Sequence, residues 1–188
     1  MPRPRSADRR SAILSAATRV VAEQGLSAAT AAIAKEAGVS NGSLFVYFDT
    51  KTTLLNELYV ALKTEMNEAA MAGVAEDGDA REQLLHLWSQ WLRWATGNPD
   101  KRRVIAQLDV SDQISDASHQ IVRAGFSGMA HSIDRARAAG PLRDASLGFV
   151  LALLTAVAET TIDAIINDPA GADAVTALGF DAMWRMLA

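Results

Sequence analysis

Apolar residues recur every three to four positions along almost the whole chain, which is the spacing of amphipathic α-helices. β-branched or aromatic runs bounded by turn residues, which would indicate strands, do not occur in the sequence. We therefore predict an all-α fold. Glycine, proline and serine positions divide it into about nine helices, over residues 7–24, 28–37, 41–48, 51–72, 80–96, 100–108, 113–139, 146–167 and 172–187.

Composition argues against several kinds of site. The chain has no Cys, which rules out disulfides and thiolate ligands, and its three His residues are far apart in sequence. No catalytic triad, carboxylate pair or glycine-rich phosphate loop stands out. We expect neither an enzyme nor a cofactor, and a helical enzyme or lipophilic carrier is only a remote alternative.

The most apolar segment, 147–166, is interrupted by Glu159 and Asp163, and no apolar stretch follows the basic amino terminus. We therefore expect a soluble cytoplasmic protein with no membrane partner. Because the helix at 146–167 is apolar almost all round, we also expect it to be buried on most sides.

Positive charge is concentrated in the first third of the chain. Residues 1–63 contain 8 Lys and Arg against 5 Asp and Glu, whereas residues 64–188 contain 10 against 17. Arg3, Arg5, Arg9 and Arg10 all lie within the first ten residues. A local positive field favours phosphate binding even though the whole chain carries a net charge of −4, and a solvated basic tail explains the arginines about equally well.

The stretch at 33–48, IAKEAGVSNGSLFVYF, has the layout of two short helices that cross at a steep angle. Gly38 permits the positive φ of a tight turn, and the small Ala34 and Ala37 let the helices approach. Leu44 and Phe48, four residues apart, are predicted to face the core, as are Ile33 and Val39. The opposite side of the second helix is short and polar enough to enter a major groove of DNA.

Two serines precede the short helices. Ser27 is a candidate cap of the second helix, with Thr30 as the alternative, and Ser40 is predicted to cap the third, because a hydroxyl oxygen accepts the unpaired amides of a first helical turn.

The same stretch resembles the TetR family of transcriptional regulators. It follows the family pattern Ile-Ala-x-x-Ala-Gly-Val-Ser-x-Gly-x-Leu-Tyr-x-(His or Tyr)-Phe without a gap, and Lys51 and Leu54 match the positions that come next. Phe45 stands where the family usually has Tyr, so one phosphate-contacting hydroxyl is missing. The loop before the second helix is also one residue shorter. The resemblance covers about residues 9–58.

The resemblance implies a ligand-responsive repressor with two domains. A helix-turn-helix DNA-binding domain occupies residues 1–50, and a helical domain for ligand binding and dimerisation occupies residues 51–188. The partners that the resemblance implies for this chain are double-stranded DNA with a palindromic operator, a second copy of the chain, and a small-molecule effector.

The resemblance also assigns roles within the first domain. Tyr47 and Lys51 bind phosphates, together with the amino end of the helix at 28–37 and the amino-terminal arginines. Short side chains on the outer face of the third helix are candidates for contacts with base edges. The predicted DNA-binding residues are Arg3, Arg5, Arg9, Ser27, Thr30, Ser40, Asn41, Gly42, Ser43, Val46, Tyr47 and Lys51.

One recognition helix reads few base pairs, so we expect a homodimer on half-sites about one DNA turn (~34 Å) apart. In the family the last two helices form the dimer interface. The candidate interface residues are Leu147, Val150, Leu151, Leu154, Val157, Ala158, Phe180, Met183, Trp184 and Leu187. The alternative is that these residues form the core of a single chain.

An effector site is implied in the second domain. Trp88, Trp91 and Trp94 lie three residues apart and cannot all face one core direction. The candidate ligand-binding residues are Met66, Trp88, Trp91, Phe126, Met129, His131 and Glu159, which suit an apolar or aromatic molecule. Core packing explains each of them singly, so a dimeric DNA-binding regulator with no effector stays open.

Overall fold

The computed structural model describes residues 4–75 and 78–188, with side chains from residue 7 onward. This described part contains ten α-helices, a 3₁₀ turn at Pro169–Gly171 and no strand, so the all-α prediction is confirmed. The helices are α1 (Pro4–Gln24), α2 (Thr30–Glu36), α3 (Asn41–Tyr47), α4 (Lys51–Met71), α5 (Ala80–Gly97), α6 (Pro99–Asp109), α7 (Asp116–Gly125), α8 (Ser127–Arg137), α9 (Leu147–Asn167) and α10 (Ala172–Leu187).

The single helix predicted over 113–139 is in fact two helices, α7 and α8. The backbone leaves the helical conformation at Phe126 (φ −87°, ψ 6°), and the Phe126 carbonyl accepts the first amide bond of α8 from Ala130 at 2.9 Å. Gly125, a weak helix former, ends α7 immediately before this point.

The predicted cap at Ser27 is wrong. α2 begins at Thr30, and the residue with the extended cap conformation is Ala29, whose side chain has no acceptor. Ser27 is separated from α2 because the Ala28 amide turns back to the Gly25 carbonyl (3.1 Å), where Gly25 has a φ of +76°. One buried alanine, Ala28, follows the turn.

The first compact unit, called unit 1, comprises the described residues up to 64 together with residues 98–122. Within it α1 packs against α2 and α6, and α2 packs against α3. Its fully buried apolar residues include Ile13, Val21, Ile33, Leu44, Phe48, Leu54, Leu55, Leu58, Val104 and Leu108. Unit 1 extends beyond residue 50, so its boundary is not the predicted boundary between the DNA-binding domain (1–50) and the second domain (51–188). That division stays a prediction about which segment binds DNA.

A polar cluster holds α4 to the segment between α6 and α7 in unit 1. The side-chain amide of Asn56 donates to the carbonyls of Thr52 and Gln113, each at 2.8 Å. The Asn56 oxygen accepts from the Ser115 amide and the Ser118 hydroxyl, also at 2.8 Å each. Both donors and both acceptor positions of this one side chain are thus used.

The next turns of α4 extend the same attachment. The Tyr59 hydroxyl donates to one Asp109 oxygen at 3.0 Å, and Lys63 donates to the other at 2.7 Å. The Tyr59 ring also meets His119 edge-on, with 5.3 Å between ring centroids. Asn56, Tyr59 and Lys63, with their partners, are called the Asn56 cluster below.

The second compact unit, unit 2, comprises the described residues of 65–97 and 123–188, and α5 packs against α8, α9 and α10 within it. The Trp88 indole on α5 donates to the Thr176 carbonyl at 3.0 Å. Gly179 is required on α10, because a Cβ there would lie 2.9 Å from Trp88. The Arg81 guanidinium pairs with Asp181 at 3.1 Å, which ties the start of α5 to α10.

The expectation that the helix at 146–167 is buried on most sides is wrong. In the most apolar 18-residue window of α9, only 28% is buried. α5 and α10 cover one side, where Val150 and Ala158 are fully buried, whereas Phe149, Ala152 and Ala156 face away and are exposed. By length and composition alone α9 could also cross a membrane.

We predict that Asn56→Ala lowers the free energy of unfolding by about 1 to 3 kcal/mol, since it removes four hydrogen bonds, three of which join α4 to residues 113–118. Urea unfolding followed by circular dichroism measures the change. Gln120→Ala, an exposed site on α7, serves as the control and should change stability by less than about 0.5 kcal/mol. Equal effects of the two variants would contradict the structural role of the Asn56 cluster.

Candidate nucleic-acid interface

The turn between α2 and α3 is closed by two nested backbone hydrogen bonds. The Val39 amide reaches the Ala34 carbonyl at 3.0 Å, and the Gly38 amide reaches the Lys35 carbonyl at 3.1 Å. This pairing requires a left-handed residue after the helix, and Gly38 supplies it with a φ of +68°. The turn that the sequence predicted at Gly38 is therefore present, with Val39 half-buried rather than fully in the core.

Ser40 caps α3, as predicted. Its backbone is extended, and its hydroxyl oxygen accepts the Ser43 amide at 3.0 Å. The two serine hydroxyls also lie 2.8 Å apart and bond to each other. α3 therefore begins at a defined residue, which sets the rotation of all seven of its residues about the helix axis.

α3 has one buried face and one exposed face. Leu44 and Phe48 are fully buried. Val46 points away from them and is 80% exposed, with Gly42 one turn before it on the same side. A Cβ added to Gly42 would meet only the Ser40 hydroxyl, at 3.9 Å, so packing within the chain does not require glycine there.

The start of α4 lies next to this exposed face in sequence. The Thr50 hydroxyl accepts the Thr53 amide at 3.0 Å and so caps α4. Lys51, the predicted phosphate ligand, is the first residue of that helix and is half-buried. Tyr47, the other predicted phosphate ligand, is the last residue of α3 and is also half-buried.

Arg10 has a role that the sequence did not reveal. Its guanidinium forms an ion pair with Glu57 and lies over the Phe48 ring, 4.9 Å from the centroid. Arg10 thereby ties α1 to α4 and to the residue that follows α3. Its partners are 38 and 47 residues away in the sequence, and only its basic charge was visible beforehand.

The other predicted DNA-binding residues are spread over unit 1. Arg9 is exposed on α1, Ser27 is exposed before α2, and Thr30 is the first residue of α2. Arg3 lies outside the described residues, and for Arg5 only the backbone is described. The residues that come together on one short element are Ser40, Asn41, Gly42, Ser43, Val46 and Tyr47.

Six of the ten predicted interface residues lie in the core of unit 2 and cannot reach a second copy while this packing is kept. They are Val150, Leu154, Ala158, Phe180, Met183 and Leu187. Their burial fits the alternative reading, that they form the core of a single chain, and the interface itself stays a prediction. Leu147, Leu151, Val157 and Trp184 are at least partly accessible.

All seven predicted ligand-binding residues belong to unit 2. Trp88 is buried with its indole N–H already bonded to Thr176, and His131 is exposed, so neither has the half-buried position expected of a cavity wall. The half-buried ones are Met66, Trp91, Phe126, Met129 and Glu159.

Residues 13–58 match the family model of bacterial regulatory proteins of the tetR family. A Shewanella sp. PV-4 protein, described as a tetR family transcription regulator, is 26% identical, with 94% of this chain and 96% of that one covered and a TM-score of 0.84. These findings confirm the resemblance drawn from residues 33–54.

Two further solved structures share the fold. A TetR family transcription regulator from Marinobacter aquaeolei VT8 is 22% identical, with a TM-score of 0.83 over 98% of both chains. The transcriptional regulator FadR from Bacillus subtilis, solved in complex with stearoyl-CoA, is 19% identical, with a TM-score of 0.68 over 95% of this chain and 97% of that one.

We predict that Gly42→Ala stabilises the free protein by about 0.5 to 1 kcal/mol, because alanine is the better helix former and the added methyl meets open space. The same methyl should weaken specific DNA binding about tenfold or more, since it separates the backbone from the base edges. Thermal unfolding and a fluorescence-anisotropy titration measure the two effects.

The control for this pair of measurements is Gly125→Ala at the end of α7, where an added Cβ also meets no atom within 4 Å. It should leave DNA affinity unchanged. Undiminished DNA affinity in Gly42→Ala would show that DNA does not approach the backbone at residue 42.

Proposed function

We propose, from the match of residues 13–58 to the family model of bacterial regulatory proteins of the tetR family and from the fold shared with solved regulators, that this chain is a cytoplasmic DNA-binding repressor. In this proposal it binds a palindromic operator as a homodimer and is released by a small apolar or aromatic effector. The observation that carries the proposal is the pair of faces on α3, where Leu44 and Phe48 are fully buried and Gly42 and Val46 face outward.

The proposed DNA contacts are of two kinds, contacts with base edges and contacts with phosphates. Asn41, Ser43 and Val46 contact base edges, and Gly42 allows the backbone to come close. Tyr47 and Lys51 bind phosphates and fix the position of the protein on the duplex, as do Arg9 and the arginines before it. Phe45 has no hydroxyl for this purpose, which leaves more of the phosphate binding to Tyr47.

We predict that Lys51→Ala weakens binding to every duplex by a similar factor and reduces the slope of log affinity against log salt by about one for each subunit. Ser43→Ala should instead change the order of preference among sequences. The probe is the DNA upstream of the gene for this chain, titrated at several salt concentrations beside an unrelated duplex.

Arg93→Ala, an exposed site on α5, is the charge-matched control and should leave the salt slope unchanged. Should Lys51→Ala also keep the slope of the wild type, Lys51 is not a phosphate ligand. If the wild type bound the two duplexes equally at every salt concentration, sequence-specific regulation at this promoter would be disproved.

The proposed dimer uses the sides of α9 and α10 that the core leaves uncovered. On α9 these are Phe149 (54% exposed), Ala152 and Ala156, and on α10 Ala177 and Leu178 (70% exposed). Exposed apolar side chains of this kind mark an interaction site, and small residues allow helices to approach closely. The interface therefore lies on faces adjacent to, rather than through, the six core residues named above.

A membrane is the other apolar environment that could cover α9, and its carboxyl half argues against this. Glu159 and Asp163 would both enter the hydrocarbon region of a bilayer, where ionised carboxylates are costly. The exposed apolar residues proposed for pairing with a second copy include neither of these carboxylates. This reasoning supports the proposed cytoplasmic dimer.

We predict that Leu178→Glu converts the dimer into a monomer at low micromolar concentration, since a charged residue would be buried in the interface. Size-exclusion chromatography with light scattering measures the mass. Val110→Glu, at a residue that is 86% exposed in unit 1, is the matched control and should stay dimeric. A monomeric wild type, or a dimeric Leu178→Glu, would refute this interface.

The effector part of the proposal rests on unit 2. Trp91, Met66 and Phe126 are half-buried apolar residues, and the buried Oδ1 oxygen of Asn67 has no hydrogen-bond partner within the described part of the chain. An unsatisfied buried acceptor costs about 1 to 3 kcal/mol, which a donor on a bound molecule would recover. A fold relative is known with stearoyl-CoA, which has a long apolar chain.

A regulator without an effector is the alternative. The two are distinguished by titrating small apolar and aromatic compounds while following tryptophan fluorescence and operator affinity together. An effector has to prefer the state that does not bind DNA, so binding without any change in operator affinity would favour the alternative.

A further inference from the structure

Val46 lies on the exposed face of α3, opposite the core residues. With about 3.6 residues per turn, a position two residues from both Leu44 and Phe48 points away from the core. The two core residues have no exposed surface, and Val46 is 80% exposed. A branched apolar side chain is thus presented to solvent near the carboxyl end of the helix that the proposed function assigns to DNA reading.

The neighbours of Val46 on this face are short. Gly42, one turn earlier, has no side chain, and a Cβ there would meet nothing closer than 3.9 Å. The Ser43 hydroxyl bonds to the Ser40 hydroxyl at 2.8 Å, toward the amino end of the helix. Val46 therefore projects further from this face than the residues on the preceding turn.

The chemistry of Val46 restricts what it can meet in a major groove. Base edges there carry hydrogen-bond donors and acceptors, with one apolar group among them, the 5-methyl group of thymine. A valine against any other edge would remove water without replacing its hydrogen bonds, which is unfavourable. Against the thymine methyl, it would bury apolar surface on both sides.

We propose that Val46 reads one thymine in each half-site of the operator through the 5-methyl group of that base. Gly42 is the positioning residue, because the absence of a side chain there lets the base edge come close enough for the methyl contact. The inference rests on the proposed function, and it names the base that Val46 selects.

The experiment uses the full chain and a randomised duplex library. The enriched duplex is remade with deoxyuridine in place of one thymine at a time, which removes a methyl group and keeps every hydrogen-bonding atom. For the wild type we expect one position in each half-site where this replacement weakens binding about fourfold, the value of one buried methyl group. Replacing both half-site positions should weaken it about fifteenfold.

The variant Val46→Ala removes the partner of the methyl group. It should bind the thymine and deoxyuridine duplexes with equal affinity at that position, while other positions keep their wild-type ratios. Alanine is the better helix former, so the variant is expected to fold, and circular dichroism checks this. Val110→Ala, an equally exposed valine outside α3, should behave like the wild type at every position.

A third duplex separates the methyl group from the rest of the base. A cytosine·guanine pair at the sensitive position lacks the methyl group, and 5-methylcytosine restores it at the same place in the groove. Wild-type protein should prefer 5-methylcytosine to cytosine there by about fourfold, and Val46→Ala should not distinguish them.

The outcomes separate the inference from the proposed function. If a sequence is enriched but no deoxyuridine effect depends on Val46, the thymine contact is disproved and DNA reading by this chain stands. If no sequence is enriched above the starting library, sequence-specific DNA binding fails, and the inference fails with it.

Discussion

The direction in which α3 faces depends on the backbone at Gly38. The left-handed conformation there lets two amides close onto the carbonyls of α2, so the chain leaves α2 at one angle and enters α3 at Ser40. With this entry, Leu44 and Phe48 are both buried. A residue with a Cβ at position 38 would add about 1 to 2 kcal/mol of strain and would favour another exit angle, which would rotate the whole exposed face.

The Asn56 cluster adds a constraint of a different kind. Apolar contacts between helices tolerate sliding, whereas the four hydrogen bonds of Asn56 are satisfied in one arrangement only. α4 continues directly from the segment that carries Lys51, so its attachment to Asp109 and Ser118 also fixes the support of α3. Residues distant in sequence thus take part in holding the candidate DNA-binding surface.

The sequence predicted those parts of the structure whose causes are local. The turn at Gly38 and the cap at Ser40 each depend on a few adjacent residues, and both were recognisable. Core and exposed residues of α9 could not be told apart, because a helix that is apolar all round does not show which side is core; Val150, Leu154 and Ala158 are buried. The roles of Asn56 and Arg10 were invisible, because their partners lie tens of residues away and nothing in a local pattern marks them.

Unit 1 is formed by two segments that are separated in the sequence, which affects how the protein folds during synthesis. Its core includes Val104 and Leu108 from α6, and α6 leaves the ribosome only after α5, a helix of the other unit. Domains that are continuous in sequence can fold as soon as they emerge, starting from the amino terminus. Here the core of unit 1 cannot be completed until residues 98–122 have been synthesised. Until then the apolar faces of the amino-terminal helices are uncovered, so these helices are candidates for chaperone binding.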